Sequence, residues 1–315
     1  MNCHCCNGKA QKFGFFRNRN RFVQRYRCPR CAQTFCVEQP LDGVRIEQGK
    51  AFQVIGLLVE GMGIRAIQRF TGLHQETILN ILASAGEHCA TLLESRVQNL
   101  KCSAVQVDET FTSVFCKQKR NLSNDYDRGD QYLFMAIDAD TKLIINHVIG
   151  KRDSGNALSL IQDLKRKVPG HFQLTTDAFR PYKPVVRQTF GNAIDFAQLL
   201  KIYAVPNQAL IGERRYSPPE CISTRTIVRS GHPDRNRIST SYIERTNLSV
   251  RLFNRRFTRL TLGYSKKIEY LRHSANLFIA HFNFCRVHST LKKTPAMASG
   301  LTNHVWTITE LVKVH

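Results

Sequence analysis

The segment that decides the fold is Ala104-Val-Gln-Val-Asp108, in which apolar and polar side chains alternate. Alternation with a period of two is typical of a half-buried β-strand. Two more strands are predicted at Gln131–Asp138 and Leu143–Ile149, joined by a turn over Asp138-Ala-Asp-Thr-Lys142. An acid, Asp108, therefore closes the first of three consecutive predicted strands.

Both helices and strands follow these three strands. The predicted elements are a helix over Ala157–Val168, a fourth strand over His171–Thr176, a fifth strand over Ala193–Phe196, and helices over 241–254 and 265–286, with Ser265 as the N-cap of the last. Three strands, a helix, a strand and then helices are the order of a ribonuclease-H-like fold. The predicted fold class is therefore α/β, with a mixed sheet and flanking helices.

The segment 197–237 interrupts this order. It contains Pro206, Pro218, Pro219 and Pro233 and reads as irregular. Proline breaks a helix interior and cannot donate a hydrogen bond to a neighbouring strand. We therefore predict an insertion at about 197–237, within a catalytic domain that spans 100–315.

The N-terminal segment 1–37 contains two Cys-x2-Cys pairs, Cys3 with Cys6 and Cys28 with Cys31. Two such pairs are typical of a zinc ribbon in which four thiolates hold one structural Zn²⁺. The segment is too short for a hydrophobic core, so the ion would supply its folding free energy. The ligand set stays open because three further donors lie nearby: His4, Cys5 and Cys36.

Basic and aromatic residues are interleaved between these cysteine pairs. The segment carries eight Lys or Arg residues and no acid. This pattern is typical of a surface that binds nucleic acid, and we predict DNA contacts by Arg21, Arg25 and Arg27. The alternative is a ribbon that contacts only protein.

The segment 44–95 is predicted to be helical, with a break at Gly61-Met-Gly63, a second helix that ends at Gly72 and a third that begins near His74 or Gln75. This order is that of a helix-turn-helix DNA-binding domain. Its last helix would enter the major groove and present His74, Gln75 and Asn80 to the bases. The alternative is an inert bundle of three short helices.

The charge of the chain narrows the class of partner. Its 46 Lys and Arg residues exceed its 24 Asp and Glu residues, and the formal net charge is +22. Such an excess favours nucleic acid or an acidic membrane. The sequence has no apolar run of about 18 residues, and Met1–Ala10 is too polar for a signal peptide. We therefore expect a cytoplasmic, nucleoid-associated protein that binds double-stranded DNA and not a membrane.

Three acids are the candidate catalytic residues. Asp108 ends the first predicted strand and Asp177 follows the fourth, so both would emerge at one sheet edge if these strands are neighbours. Glu244 is the single acid among nine Lys or Arg residues between Arg235 and Ile268. Exposed ion pairs contribute only a few tenths of a kcal/mol and explain this placement weakly. A metal-binding role explains it better.

Carboxylates suit Mg²⁺ or Mn²⁺, which prefer oxygen ligands. Two such ions, about 3.5–4 Å apart, can activate an attacking oxygen and stabilise a leaving one during phosphoryl displacement. We predict that Asp108, Asp177 and Glu244 hold both ions. Glu109 adjoins Asp108, but it is predicted to point to the opposite face of the strand and to lie outside the site.

Basic residues surround Glu244 in the sequence, where scissile phosphates would need neutralising. The predicted DNA contacts in this region are Arg245, Arg251, Arg255, Arg256, Arg259, Lys266 and Lys267.

Several motifs resemble those of one family. The stretch Cys28-Pro-Arg-Cys-Ala-Gln-Thr-Phe35 resembles the zinc-ribbon start of insertion-sequence transposases of the InsA/InsB type. The stretches Val107-Asp-Glu109, Thr176-Asp-Ala-Phe-Arg-Pro-Tyr182 and Tyr242-Ile-Glu-Arg-Thr-Asn247 look like the DDE catalytic motifs of that family. The resemblance covers nearly the whole chain and keeps the order of the motifs. Compact members of the family have the second Asp and the Glu closer together than they are here.

The resemblance implies a DNA transposase that cleaves and joins strands at the terminal inverted repeats of an insertion sequence. The ribbon and the helix-turn-helix would recognise the ends, and the protein would act as a homo-oligomer, at least a dimer on DNA. Two alternatives remain open at this level. One is a domesticated, non-catalytic DNA-binding regulator, and the other is a structure-selective nuclease on the same fold.

Overall fold

The computed structural model describes residues 1–18, 21–36, 41, 44, 46–123, 125–204, 221–259 and 261–313. Its first elements form a small antiparallel sheet. In sheet order these are β1 (Gln11–Asn18), β2 (Arg21–Arg27) and β3 (Thr34–Cys36). The strand β2 lies in the centre and brings the two cysteine pairs to the same end of the sheet.

Three helices follow: α1 (Gln48–Val59), α2 (Ile64–Thr71) and α3 (Gln75–Arg96). Gly72, at φ +72°, ends α2 in the left-handed conformation that glycine adopts without strain. The His74 side chain accepts a hydrogen bond from the Glu76 amide and caps α3. The helices therefore begin and end close to the predicted positions, but α3 extends for 22 residues.

The central sheet contains six strands among the described residues. They are β4 (Ala104–Val114), β5 (Gly129–Asp138), β6 (Ile144–Gly150), β7 (Gln173–Asp177), β8 (Asp195–Tyr203) and β9 (Cys221–Ser230). Their order in the sheet is β6-β5-β4-β7-β8-β9. The strand β5 is antiparallel to β4 and β6, whereas β7 and β8 run parallel to β4. This is a ribonuclease-H-like sheet with one added antiparallel edge strand, β9.

Helices cover both faces of this sheet. They are α4 (Ser154–Lys167), α5 (Tyr182–Phe190), α6 (Ser241–Phe253), α7 (Ile268–Phe284), α8 (Pro295–Ala298) and α9 (Ile308–Leu311). The side chain of Asn146 donates to Leu160 in α4, whereas its neighbour His147 pairs with Asn276 in α7, each at 2.8 Å. Because consecutive side chains of a strand point to opposite faces, α4 and α7 lie on opposite sides of the sheet.

The helices α3 and α7 pack against each other at very short range. A Cβ atom at Gly86 would lie 2.5 Å from the Cβ of His273 and 2.6 Å from its carbonyl oxygen. Only glycine permits this approach. The buried apolar side chains of α1, α2 and α3 are consequently continuous with the core around the sheet.

Three sequence-based expectations about local structure were wrong. Asp108 does not end its strand, because β5 pairs with β4 as far as Val114. The segment 197–237 is not irregular throughout, since 197–203 continues β8 and Cys221–Ser230 forms β9; 205–220 lies outside the described residues. These strands escaped detection because exposed polar and basic residues obscure their alternation. Ser265 does not cap α7: it is buried and bridges to Val114, and Lys267 precedes the helix.

Within the described ranges, every helix is too short or too polar to span a lipid bilayer.

Candidate functional site

Asp108 and Asp177 come together because their strands are parallel neighbours. The pairing of β4 with β7 ends at Val107 opposite Thr176, so the next residue on each strand is the acid. The Asp177 carboxylate accepts a hydrogen bond from the Phe179 amide at 3.0 Å, where the chain turns away from the sheet. Asp177 therefore lies at the sheet edge, as predicted, and Asp108 lies beside it.

Glu109 belongs to the same cluster. One carboxylate oxygen from each of Asp108, Glu109 and Asp177 lies within 4.8 Å of the other two. The alternation of the strand does send Asp108 toward α6 and Glu109 toward α5, where Tyr182 lies beside it. The expectation that this excludes Glu109 from the cluster was nevertheless wrong. Because β7 stops at Asp177, the sheet edge is open there and carboxylates from both faces reach Asp177.

One guanidinium group bridges two of these acids. Nη2 of Arg152 lies 3.3 Å from Glu109 and 3.2 Å from Asp177. The same guanidinium packs over the Phe179 ring, 4.3 Å from its centroid. Arg152 therefore neutralises part of the charge from the solvent side of the cluster.

The carboxyl groups of the cluster have raised pKa values. Burial raises the pKa of Asp108 to about 7, and the charge of Asp177 adds to this effect. The same two causes raise the pKa of Glu109 to about 7. Burial also raises the pKa of Asp177, although the Phe179 amide and Arg152 oppose this. A cation bound between these groups would favour their ionised forms.

Glu244 lies near the cluster but makes different contacts. It stands in the first turn of α6, where one carboxylate oxygen accepts hydrogen bonds from Lys201 and Thr240. The described residues whose ligand atoms lie within 4.8 Å of one another do not include Glu244. Its charge still raises the pKa values of Asp108 and Asp177, which places it at the rim of the same site.

Two side chains fix α6 against β4. The buried Gln106 carboxamide accepts hydrogen bonds from the amides of Tyr242 and Ile243, at 3.0 and 3.1 Å, and so satisfies free N–H groups at the start of the helix. One turn further on, the Asn247 amide donates to Asp108 at 2.8 Å. Glu244 and Asn247, three residues apart, therefore share the helix face toward the site.

Sequence reasoning missed three residues at this site: Arg152, Lys201 and Asn247. Only Asn247 had a usable signal, its spacing of three from Glu244 on a predicted helix. Lys201 lies on a part of β8 that was assigned to an insertion, and Arg152 carries no local pattern.

The residues present fit a divalent cation. Three carboxylates converge here with Glu244 at their rim, and Arg152 and Lys201 form ion pairs with these acids within the described part of the chain. In addition, Oδ1 of the buried Asn247 has no hydrogen-bond partner among the described residues. Carboxylate and amide oxygens are the ligands that Mg²⁺ and Mn²⁺ prefer.

The four predicted cysteines form a second candidate metal centre. Sγ of Cys3 lies 3.5 Å from that of Cys31, and Sγ of Cys6 lies 3.4 Å from that of Cys28. A tetrahedral Zn²⁺ with bonds of about 2.3 Å needs sulfurs roughly 3.8 Å apart, so the cluster needs only a small expansion. A backbone hydrogen bond from Cys31 lowers the pKa of Cys28 to about 7, which favours the thiolate.

The other sulfur and imidazole donors of the ribbon do not join this cluster. Among the described residues, the group of four consists of Cys3, Cys6, Cys28 and Cys31. Cys5 is exposed, and the His4 ring packs edge-on against Phe35 at 5.2 Å. The described cluster thus matches the predicted ligand set.

The predicted DNA-contacting residues around Glu244 differ in their exposure to solvent. Arg245, Arg255, Arg259, Lys266 and Lys267 are exposed, and Arg251 is half-buried. Arg256 departs from the expectation, because it is 8% exposed and burial lowers its pKa to about 10. Its segment is held inward by Thr112, whose hydroxyl donates to the Arg256 carbonyl at 2.6 Å.

The predicted contacts in the N-terminal half are exposed at Arg27 and at the start of α3, whereas Arg25 is half-buried. His74, Gln75 and Asn80 are exposed at the start of α3. The guanidinium groups of Arg25 and Arg27 lie over the Phe13 ring, 5.5 and 5.3 Å from its centroid. Arg21 begins β2, and its side chain lies outside the described residues.

Comparisons with known proteins give weak likenesses in structure and none in sequence. No protein-family model matches this sequence, and no curated protein matches it. The chain is similar to a structure of the piggyBac transposase synaptic complex with hairpin DNA, with 10% identity, a TM-score of 0.40, and coverage of 83% of this chain and 70% of that chain. It is also similar to the simian T-cell lymphotropic virus intasome bound to the PP2A regulatory subunit B56 gamma, with 15% identity, a TM-score of 0.33, and coverage of 79% and 74%.

The cysteine cluster predicts a zinc dependence that one substitution removes. Cys28→Ser should reduce bound zinc from one equivalent toward zero, because Cys28 is buried at the centre of the cluster. The ribbon should then become sensitive to limited proteolysis. Cys5→Ser, at the exposed neighbouring cysteine, should keep the zinc and the protease resistance. Elemental analysis of the purified variants measures the first quantity, and full zinc content in Cys28→Ser would contradict the assignment.

The raised pKa of Asp108 predicts a pH-dependent gain in stability when its charge is removed. Between about pH 4 and pH 7 the unfolded chain ionises Asp108 and the folded protein does not, so folding stability falls across this window and levels off above it. Asp108→Asn should therefore raise the melting temperature at pH 8, without added Mg²⁺ or Mn²⁺, by ~3–8 °C.

At pH 5 that gain should fall to less than half, because most of the window lies above this pH. Asp127→Asn makes the same change at an exposed position and should shift the melting temperature by less than ~1 °C at either pH. An equal gain for Asp108→Asn at both pH values would be incompatible with this account.

Proposed function

We propose that the chain is a DNA transposase of the insertion-sequence DDE type, similar to the InsA/InsB transposases, which cleaves and joins strands at terminal inverted repeats. The observation that carries this proposal is the placement of Asp108 and Asp177 on adjacent parallel strands of a ribonuclease-H-like sheet, with Glu244 on the helix packed over β4. Phosphoryl transfer with divalent metals needs carboxylates that converge in this way.

In this proposal Asp108, Asp177 and Glu244 hold two Mg²⁺ or Mn²⁺ ions. Bound ions of this kind would activate an attacking water or 3′-hydroxyl and stabilise the leaving oxygen. The residues around them position the carboxylates. Asn247 donates to Asp108 and orients it, and Lys201 holds Glu244 at the rim of the site.

The remaining predicted parts act on DNA. The zinc ribbon at 1–37 and the helix-turn-helix at 44–95 would bind the element ends, through the basic face of β2 and the exposed start of α3. The turn between α1 and α2 contacts the end of α6: a Cβ at Gly61 would lie 2.7 Å from the Leu252 carbonyl. Movement of the DNA-binding helices would therefore displace the end of α6 and the basic segment that follows it from Arg255. Bridging of two ends would require at least a dimer.

Strand transfer tests the catalytic assignment. A labelled duplex that ends in the terminal repeat of the element should be joined to target DNA by the parent protein with Mg²⁺ or Mn²⁺. Asp108→Asn, Asp177→Asn and Glu244→Gln should each lower the joining rate by about 10²-fold or more, a loss on the scale of one missing transition-state stabiliser. Each variant should still bind the duplex, and Asp127→Asn should join it normally.

Unimpaired joining by Asp108→Asn would refute the catalytic assignment. A parent protein that binds the repeats but never cleaves them would instead be a regulator. Cleavage of RNA–DNA hybrids without any requirement for the repeats would identify a structure-selective nuclease.

The exposed basic residues predict a salt-dependent affinity. The double variant Lys266→Ala/Lys267→Ala removes two exposed charges beside α7, and the slope of log affinity against log salt should flatten by about 1.8, at ~0.9 for each lost phosphate contact. The control Lys183→Ala/Arg187→Ala removes two exposed charges on α5, toward the opposite face of the sheet, and should keep the slope. Equal slopes for parent and Lys266→Ala/Lys267→Ala would exclude phosphate contacts at these lysines.

A further inference from the structure

We propose that Glu109 is a direct ligand of the first divalent cation, together with Asp108 and Asp177, and that Arg152 competes with that cation for Glu109 and Asp177. The proposal rests on the proposed function in that the cation is the one used for phosphoryl transfer. It assigns Glu244 to the second ion and gives a role to a carboxylate outside the DDE set.

The geometry favours Glu109 over Glu244 for the first ion. The carboxylate oxygens of Asp108, Glu109 and Asp177 already lie within 4.8 Å of one another. A single divalent ion with ligand distances near 2.1 Å accommodates oxygens that are roughly 3–4 Å apart. Glu244 lies outside this group, and because Lys201 and Thr240 both donate to one of its oxygens, only the other oxygen could bind an ion without loss of these contacts.

Glu109 is also buried with only part of its charge compensated. Its side chain is 2% exposed, and its Oε1 makes no hydrogen bond of good geometry within the described part of the chain. The fully buried Tyr182 hydroxyl lies beside it and interacts with its carboxylate. Burying a carboxylate in this way costs several kcal/mol unless a charge compensates for it. Arg152 supplies one positive charge, and it shares that charge between Glu109 and Asp177.

An independent observation on the other face of the strand points to the same ion. Asn247 is 3% exposed, its amide nitrogen donates to Asp108, and its Oδ1 has no partner among the described residues. This buried carboxamide therefore lies against the cluster from α6, opposite to Glu109, with its oxygen unpaired among the described residues. Unpaired oxygens on both sides of Asp108 and Asp177 are what a cation with several oxygen ligands requires.

Arg152 has the properties of a displaceable counterion. It brings one positive charge to two carboxylates, at 3.3 and 3.2 Å, whereas a divalent ion would bring two. Its side chain is 40% exposed, so it can move into solvent when an ion enters. The Phe179 ring, 4.3 Å away, would keep the released guanidinium close to the site, where a DNA phosphate can use it.

Titration of the zinc-loaded full chain with Mn²⁺, followed by electron paramagnetic resonance of the free ion, tests the proposal without any DNA. Glu109→Gln should weaken the first Mn²⁺ by about tenfold or more, since even outer contacts of a metal ligand matter by 10–100-fold. Glu244→Gln should leave the first Mn²⁺ affinity within about twofold and weaken the second. Arg152→Gln should tighten the first Mn²⁺, because the competing charge is gone.

Unchanged binding of the first Mn²⁺ by Glu109→Gln would overturn the proposal, as would weaker binding by Arg152→Gln. Circular dichroism and zinc content verify that each variant folds. If Glu109→Gln does not fold, Glu109→Asp keeps the charge but withdraws the carboxylate by one methylene. Weakened first-site binding by Glu109→Asp supports the ligand role, and unchanged binding refutes it.

The two proposals fail separately. If the parent never joins DNA but Glu109→Gln loses Mn²⁺ binding, the assignment of Glu109 as a metal ligand would stand and the transposase assignment would be refuted. Normal Mn²⁺ binding by Glu109→Gln, in a protein whose parent does join DNA, would refute Glu109 alone.

Discussion

The pairing of β4 with β7 is the constraint on which the site depends. The two strands run parallel only as far as Val107 and Thr176, although β4 continues beside β5 to Val114. At the point where β7 stops, β4 has a neighbour on one side and an open edge on the other. Side chains from both faces of β4 can therefore approach Asp177, and a cluster of carboxylates forms that a longer β7 would exclude.

Repulsion between the buried carboxylates of this cluster destabilises the folded protein, and the surrounding structure compensates for this repulsion only in part. Arg152 and Lys201 supply two positive charges to four carboxylates, and burial raises the pKa values of Asp108 and Glu109. The site is held in place by apolar packing and by the buried Gln106, which anchors the start of α6. The fold thus maintains an arrangement of charges that a divalent cation would stabilise.

An acidic site in a chain of net charge +22 has a clear physical use. On the proposed function, the exposed Lys and Arg residues would attract a polyanion over a long range, whereas the carboxylates would act only at short range and through a bound cation. The contrast between Arg255, which is exposed, and Arg256, which is buried, shows that membership of a basic stretch does not make a residue part of the attracting surface. Only the exposed members can contact phosphates.

The sequence by itself determined the features that depend on local pattern: the alternation that led to Asp108, the paired cysteines, the helical segment ahead of the sheet, and Glu244 as the single acid in a basic stretch. These signals survive because strand and helix periods act over a few residues. Only the tertiary structure decided that Asp108 lies in mid-strand, that Glu109 joins it, that Arg152 and Lys201 pair with the acids, and that Arg256 is buried. Each of these depends on where a neighbouring strand ends or which helix covers it, and such contacts join residues that are tens of positions apart in the chain.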